Sequence, residues 1–327
     1  MTPGAAVRAR RWLPALALGL ACQAHAAGSI DAQGWLKRAV QASRNVSYAG
    51  TFVHTNGDRI STIRVTHVMN GGDEHERIEA LDGSPYEIVR RNEEMFCYFP
   101  DAKTVRLDRR VNARFFPSLF RASADVIAAS YDVRLGKTER VLGYECQWLR
   151  LEPRDAQRYS QAVCAEVGTG LVVRAKTYNE QKQVIEQYTF TELRMGPQAA
   201  RNDLRSLFRA RNRQWISDGQ PRDEAIATDS GWIVQKLPVG FQKIAELKRS
   251  LPGRPSPVAQ LVYTDGLATL SVFVEPNATP PRAAEAGSED GTTTFFVRPI
   301  GEHVVSVLGE VPPATAQQVA RSVQRRP

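Results

Sequence analysis

Alternating apolar and polar positions run through most of the N-terminal half of the chain, from about residue 46 to about residue 193. A period of two predicts β-strands, and short turns rich in Gly, Asp, Asn and Pro divide the pattern. One helix is predicted before the strands, over residues 29–44, where Trp35, Leu36 and Ala39 recur at helical spacing. Closely spaced strands without regular helices between them favour an antiparallel sheet that curls over a parallel, doubly wound one.

A second group of predicted strands follows a polar segment. Residues 196–230 are poor in hydrophobic residues and contain several Gly, Pro and Asp residues, which predicts a linker. After the linker, residues 258–276 contain two apolar or alternating runs joined at Asp265-Gly266, a pattern typical of a β-hairpin. A last helix is predicted near Pro313. The sequence therefore predicts an α+β protein with two domains, which agrees with its 327 residues.

The N-terminus has the pattern of a secretory signal peptide over residues 1–26. A basic region with three arginines precedes an apolar core too short to span a bilayer, and Ala24-His25-Ala26 is a small-x-small cleavage site. We expect cleavage after Ala26 and export to the periplasm; the alternative is a lipoprotein acylated at Cys22. The net charge of +8 falls to +5 without the three arginines, which is too small and too dispersed to predict nucleic-acid binding.

Three cysteines remain after this cleavage, which suggests one disulfide and one thiol. If the runs 145–152 and 158–166 form a hairpin centred on Asp155, Cys146 lies directly opposite Cys164. Directly opposed residues at a non-hydrogen-bonded position are close enough for a disulfide. We therefore predict a Cys146–Cys164 bridge and a reduced Cys97; the alternative is two unpaired thiols in the core.

Aromatic residues are numerous on the predicted strands and in residues 111–130, which interrupt them as a loop and a short helix. Most are expected to pack ordinarily, but a curled sheet with an incompletely filled interior can also hold an acyl chain or a hydrophobic peptide. The linker supplies arginine side chains for contact with a lipid headgroup. The candidate lipid-binding residues are Phe52, Phe96, Tyr98, Phe115, Phe116, Phe120, Arg205, Arg209 and Arg213.

The residues of an active site are missing from the sequence pattern. There is no G-x-S-x-G motif, no Gly-rich phosphate loop and no pair of histidines at the helical spacing that metal sites favour. The cluster Glu74-His75-Glu76 is expected to be a solvated face. We conclude that the protein is not an enzyme and needs no metal or other cofactor.

Several segments resemble the MucB/RseB family in order and spacing. They are residues 35–54, 73–90, 96–105, 151–159, 169–193, 237–241, 258–276 and 307–313. The resemblance implies an N-terminal domain over 29–195, an unclosed antiparallel β-barrel like those of the lipoprotein carriers LolA and LolB with helices in its concavity. It also implies a linker over 196–230 and a small α+β domain over 231–325. The chain departs from the family pattern at residues 163–166, which are Val-Cys-Ala-Glu where many relatives carry Leu-Trp-Leu-Asp.

The same resemblance implies a regulatory function. Family members bind the periplasmic region of an anti-sigma factor of the RseA/MucA type and shield it from the site-one protease. Lipopolysaccharide or mislocalised lipidated molecules release it, and exchange between a homodimer and a monomer would suit such a switch. The alternatives are a periplasmic carrier of lipids or lipoproteins, which the barrel alone would allow, and a periplasmic hydrolase, which the missing catalytic residues oppose.

Overall fold

The computed structural model describes Met1 and residues 30–92, 94–109, 115–200, 204, 216–217, 226–227, 229–249, 256–276 and 285–326. All elements given below belong to one compact unit, Asp31–Pro327. The predicted signal peptide, apart from Met1, and the three linker arginines Arg205, Arg209 and Arg213 lie outside the described residues. Within these ranges, no helix combines the length and the apolar character needed to cross a bilayer.

The first sheet has twelve strands in the described residues. They are β1 (Tyr48–Asn56), β2 (Arg59–Asn70), β3 (Asp73–Ala80), β4 (Glu87–Arg91), β5 (Glu94–Phe99), β6 (Thr104–Arg109), β7 (Tyr131–Val141), β8 (Tyr144–Pro153), β9 (Ser160–Glu166), β10 (Val172–Tyr178), β11 (Val184–Met195) and β12 (Ile216–Ser217). Their order is β12-β6-β5-β4-β3-β2-β1-β11-β10-β9-β8-β7, and all neighbours are antiparallel except β12 and β6. The sheet is unclosed, because β12 and β7 form its two edges.

Helices α1 (Ala32–Asn45) and α2 (Ala124–Ser130) pack against this sheet. The side chain of Asp31 caps α1 by accepting the backbone N–H of Gly34 at 2.7 Å, and the predicted apolar face of α1 is buried. Helix α2 lies in the segment predicted as a loop and short helix. The two helices and the sheet share one hydrophobic core, in which Leu36, Ile127 and Leu149 are fully buried.

The second sheet has seven strands in the described part of the chain. They are β13 (Ile226–Ala227), β15 (Gln242–Arg249), β16 (Val258–Thr264), β17 (Thr269–Pro276), β18 (Ala286–Asp290), β19 (Thr293–Ile300) and β20 (His303–Gly309), in the order β13-β15-β16-β17-β20-β19-β18. Strands β16 and β17 are the predicted hairpin. Helix α4 (Pro313–Arg321) contributes Ala316, Val319 and Ala320 to a second, separate core.

Three further short elements complete the described structure. Strands β14 (Trp232–Val234) and β21 (Val323–Arg325) form a small antiparallel pair beside the second core, and α3 (Pro197–Ala200) follows the first sheet. The architecture is therefore α+β, as predicted, with an unclosed antiparallel sheet and few helices.

The hairpin β8–β9 carries a disulfide between Cys146 and Cys164, whose Cα atoms are 5.4 Å apart. The predicted register is wrong by two residues, because Cys146 lies opposite Glu166 and Cys164 lies opposite Trp148. A shift of two residues keeps both cysteines on the same face of the sheet, so the bridge joins diagonal neighbours. Cys97, on β5, is outside this bridge and is partly exposed.

The predicted division into a first domain, which contains the first sheet, and a second domain, which contains the second sheet, gives a first testable prediction. Each sheet has its own core, and the segment between residues 215 and 230 is polar and rich in Gly, Pro and Asp. Limited proteolysis should therefore cut this segment first and leave fragments of about 190–200 and about 100 residues. N-terminal sequencing of the products checks the site. Early cleavage inside residues 140–190 would place the boundary elsewhere.

Candidate functional site

A cavity of about 390 Å³ lies where the two sheets meet. This volume is in the range of small-molecule sites in proteins. Its lining comes from both parts of the chain and consists of Phe52, His54, Ile63, Ile78, Tyr86, Phe115, Phe116, Leu119, Arg121, Tyr159, Gln161, Ala175, Lys176, Thr177, Glu186, Tyr188, Leu267, Thr292 and Glu310. One part of the wall is apolar and aromatic, and another part is polar.

Aromatic rings from three segments form the apolar wall. Strand β1 pairs with β11, and the segment that begins at residue 115 places the ring of Phe116 against side chains of both strands. The ring centroid of Phe116 is 5.0 Å from that of Phe52 and 5.1 Å from that of Tyr188, on which it stacks. His54 also stacks on Tyr188, with ring centroids 4.1 Å apart. These contacts fix a rigid apolar surface, because each ring is held by others.

Glu186 organises the polar part of the wall. Its carboxylate accepts hydrogen bonds from the hydroxyl of Tyr188 at 2.9 Å and from that of Thr177 at 3.2 Å, and Nε2 of His54 lies 2.9 Å from Oε1. Burial raises the pKa of Tyr188 well above its usual value, and the negative charge of Glu186 raises it further. Tyr188 therefore stays protonated and acts as a hydrogen-bond donor.

Glu310 and Arg121 face each other across the junction of the two sheets. The closest approach of the carboxylate to Nη1 of Arg121 is 3.5 Å, and the backbone N–H of Thr269 donates to the same carboxylate oxygen at 3.1 Å. Desolvation raises the pKa of Glu310, and the positive charge of Arg121 opposes that rise. The guanidinium and the carboxylate thus lie at one place on the cavity wall.

The predicted aromatic residues divide into two groups. Phe52, Phe115 and Phe116 line the cavity, as the sequence suggested. Phe96 and Tyr98 do not, because their strand β5 lies four strands away from β1. Phe120 belongs to the solid core and is almost completely buried without reaching the cavity wall.

The polar wall was missed by sequence reasoning. His54 and Glu186 are far apart in the chain and meet only because β1 and β11 are neighbours in the sheet. The available signal was the alternation of Phe52 with His54 on one face of a predicted strand. No comparable signal pointed to Leu267 or Glu310, which reach the cavity from the second sheet.

One of the contacts between the two sheets is made by the turn between β16 and β17. The side chain of Asp265 in this turn accepts hydrogen bonds from Arg158 at 2.8 Å and from Tyr131 at 3.0 Å. These bonds tie the second sheet to the start of β7 and to the segment that precedes β9.

Another contact between the sheets joins the β1–β2 turn to the β18–β19 turn. There the backbone N–H of Thr292 donates to the side chain of Asn56 at 2.9 Å, and Arg59 pairs with Asp290. Thr292 is also part of the cavity wall. The cavity is therefore a junction site whose shape depends on how the sheets dock.

Comparison with known proteins identifies the family. The profile of the MucB/RseB N-terminal domain matches residues 31–208, and that of the MucB/RseB C-terminal domain matches residues 227–324. The chain belongs to the MucB/RseB family. Among curated MucB/RseB relatives, the sigma factor AlgU regulatory protein MucB of Pseudomonas aeruginosa is 32% identical over 314 residues, covering 94% of this chain and 96% of that protein.

A second relative and two solved structures agree with this assignment. The sigma-E factor regulatory protein RseB of Escherichia coli is 24% identical over 285 residues, which are 86% of this chain and 87% of that protein. The Pseudomonas aeruginosa MucA/MucB complex matches with a TM-score of 0.74 and 30% identity, over 90% of this chain and 99% of that chain. MucB in complex with MucA(peri) matches with a TM-score of 0.73 and 30% identity, over 91% and 100%. These relatives are regulatory proteins. In the described residues of this family member, no group of His, Cys, Asp or Glu could hold a metal ion.

Proposed function

We propose that this protein is a periplasmic, non-catalytic regulator that binds the periplasmic region of an anti-sigma factor of the RseA/MucA type. The observation that carries the proposal is the match along both family profiles, together with the likeness to MucB bound to MucA. Binding protects the anti-sigma factor from the site-one protease, and a lipid or lipidated molecule ends the protection. The signal pattern of residues 1–26 supports the periplasmic location.

The cavity supports lipid sensing. Its apolar wall suits an acyl chain, and Arg121 and Lys176 supply cations for an anionic headgroup at its polar wall. The linker arginines Arg205, Arg209 and Arg213 stay candidates for further headgroup contacts. A ligand weakens the grip on the anti-sigma factor only if it binds the released form more tightly than the bound form, so the cavity must differ between the two forms.

A cleavage assay tests the proposal. The mature protein should slow cleavage of the anti-sigma periplasmic region by the site-one protease, and lipopolysaccharide or a lysophospholipid should restore it. In a series of lysophospholipids, each added methylene that enters the cavity contributes about 0.8 kcal/mol, or about fourfold in affinity. The gain in affinity per methylene should end when the acyl chain fills the cavity. If the protein leaves the cleavage rate unchanged, protection is not its function.

Filling the cavity gives the second testable prediction. Leu119 is a partly buried lining residue, so Leu119→Trp should place an indole in the space that the acyl chain needs. The lipid concentration that restores cleavage should rise at least about tenfold, while protection without lipid stays near wild type. Leu135→Trp, an exposed position on β7 that does not line the cavity, is the matched control. Equal lipid requirements in the two variants would mean that the ligand binds elsewhere.

A further inference from the structure

The turn Asp265–Leu267 belongs to the second sheet but enters the first domain. Leu267 is only 4% exposed and packs in the core of the first sheet. The backbone N–H of Arg121 donates to the carbonyl of Gly266 at 2.8 Å, and Nη1 of Arg121 donates to the carbonyl of Leu267 at 2.7 Å. We call this segment the inserted turn. Its apolar tip completes a core that the first domain leaves open.

Asp265 holds the inserted turn in place through a buried ion pair. Its Oδ2 accepts from Arg158 and Tyr131, and its Oδ1 accepts the backbone N–H groups of Leu267 and Ala268 at 2.9 and 2.8 Å. The side chains of Arg158 and Asp265 are both fully buried. In such a pair the cost of desolvation offsets most of the attraction, so the pair fixes a geometry more than it adds stability. When the turn leaves the first domain, both charged groups are hydrated again. The free energy lost by breaking the ion pair is therefore small.

Leu267 also lines the cavity, so the inserted turn and a ligand meet at one side chain. A methylene group takes roughly the volume of a water molecule in the liquid, about 30 Å³, so the cavity of about 390 Å³ has room for about 13 methylenes. A longer acyl chain has to use space that Leu267 occupies. The apolar walls next to Leu267 belong to the first domain and remain there when the turn leaves.

We propose that the inserted turn is a plug that competes with an acyl chain for the apolar end of the cavity. The proposal rests on the proposed lipid binding at this cavity, and it adds how binding is regulated. The inserted turn and an acyl chain cannot occupy the apolar end of the cavity at the same time. Lipid therefore releases the second domain from the first, and a partner that needs both domains in the docked arrangement is released with it.

Thermodynamic linkage between lipid binding and docking of the turn determines whether undocking raises or lowers the lipid affinity. If the ligand binds the undocked form, its apparent affinity is reduced in proportion to the small undocked fraction, and any change that undocks the turn raises that affinity. If the ligand instead used the second domain as a wall of its site, undocking would lower the affinity. The two arrangements give opposite signs for the same variant.

Gly266→Ala is the variant that undocks the turn without touching the cavity wall. Gly266 has φ of +99°, and an added Cβ would lie 2.7 Å from Cβ of Ala122 and 3.0 Å from Cγ1 of Ile127. Gly72→Ala is the matched control, because Gly72 has φ of +97° but an added Cβ would meet no atom within 4 Å. Binding of stearoyl lysophosphatidylglycerol, whose acyl chain is longer than about 13 methylenes, is measured by titration calorimetry. Gly266→Ala should bind it at least about tenfold more tightly than Gly72→Ala. Equal or weaker binding overturns the plug.

A measurement on the wild-type protein covers the case in which Gly266→Ala fails to fold. The amide of Arg121 is protected from hydrogen exchange by its bond to the carbonyl of Gly266, so its exchange rate reports docking. Saturating lysophospholipid should speed this exchange. Unchanged or slower exchange with bound lipid overturns the plug but leaves lipid binding at the cavity intact. If neither the wild type nor Gly266→Ala binds the lysophospholipid, the lipid-binding function and the plug both fall.

Discussion

Phe116→Asp should unfold the first domain and leave little soluble protein. The ring of Phe116 is only 2% exposed and lies within about 5 Å, between ring centroids, of Phe52, Tyr188 and Phe190. The substitution removes these contacts and buries a carboxylate that has no partner there, and the two losses together should exceed about 4 kcal/mol of unfolding free energy. Urea unfolding followed by circular dichroism measures the change.

Phe99→Asp is the control for this prediction. Phe99 is 37% exposed at the end of β5, so a carboxylate there keeps its water and should change stability by no more than about 0.5 kcal/mol. If Phe116→Asp unfolds at the wild-type urea concentration, the aromatic cluster does not support the core. Because Phe116 is a core residue as well as a cavity residue, variants at Leu119 are the better test of lipid binding.

Arg158→Ala should cost about 3–5 kcal/mol of stability in the transition that separates the two sheets. The guanidinium donates to Asp155, to Asp265 and to the carbonyl of Val239, and it lies over the ring of Phe241. Its removal leaves the carboxylate of Asp265 buried without its cation. Differential scanning calorimetry of the variant and the wild type gives the difference.

Two further variants separate the ion pair from the packing around it. The double variant Arg158→Met with Asp265→Asn removes both charges and keeps most of the volume, so it should be less destabilised than Arg158→Ala. Arg134→Ala breaks a surface pair with Asp132 in which the arginine side chain is 69% exposed, and it should cost at most about 1 kcal/mol. Equal losses in Arg158→Ala and Arg134→Ala would show that the buried pair does not hold the sheets together.

The hairpin β8–β9 shows where sequence reasoning reached its limit. Alternation assigned both strands and the shared face of Cys146 and Cys164, and the structure joins these cysteines by a disulfide. The register was wrong by two residues, because a period of two cannot distinguish shifts of two. The connecting turn decided it: Asp155 accepts the backbone N–H of Gln157, and Arg158 turns inward to reach the second sheet.

The strands after residue 276 show a similar limit. The segment 276–291 is rich in Pro and Ala, a composition that predicts a loop, yet residues 286–290 form the edge strand β18. This strand is exposed along its whole length, and it forms because β19 offers it a free edge to pair with. Local propensity gives no sign of such a strand, since its stability comes from a neighbouring strand.

The sequence by itself determined the elements that depend on near neighbours: the amphipathic α1, the alternating strands, and the Asp265-Gly266 hairpin. These follow from the side-chain period and from turn chemistry, which act over a few residues. Only the tertiary structure decided which aromatic residues face a cavity, that His54 meets Glu186, and that Leu267 completes the core of the other sheet. Such contacts join residues far apart in the chain, as His54 and Glu186 are at 132 positions, and packing of the whole chain selects them because no local preference distinguishes one apolar face from another.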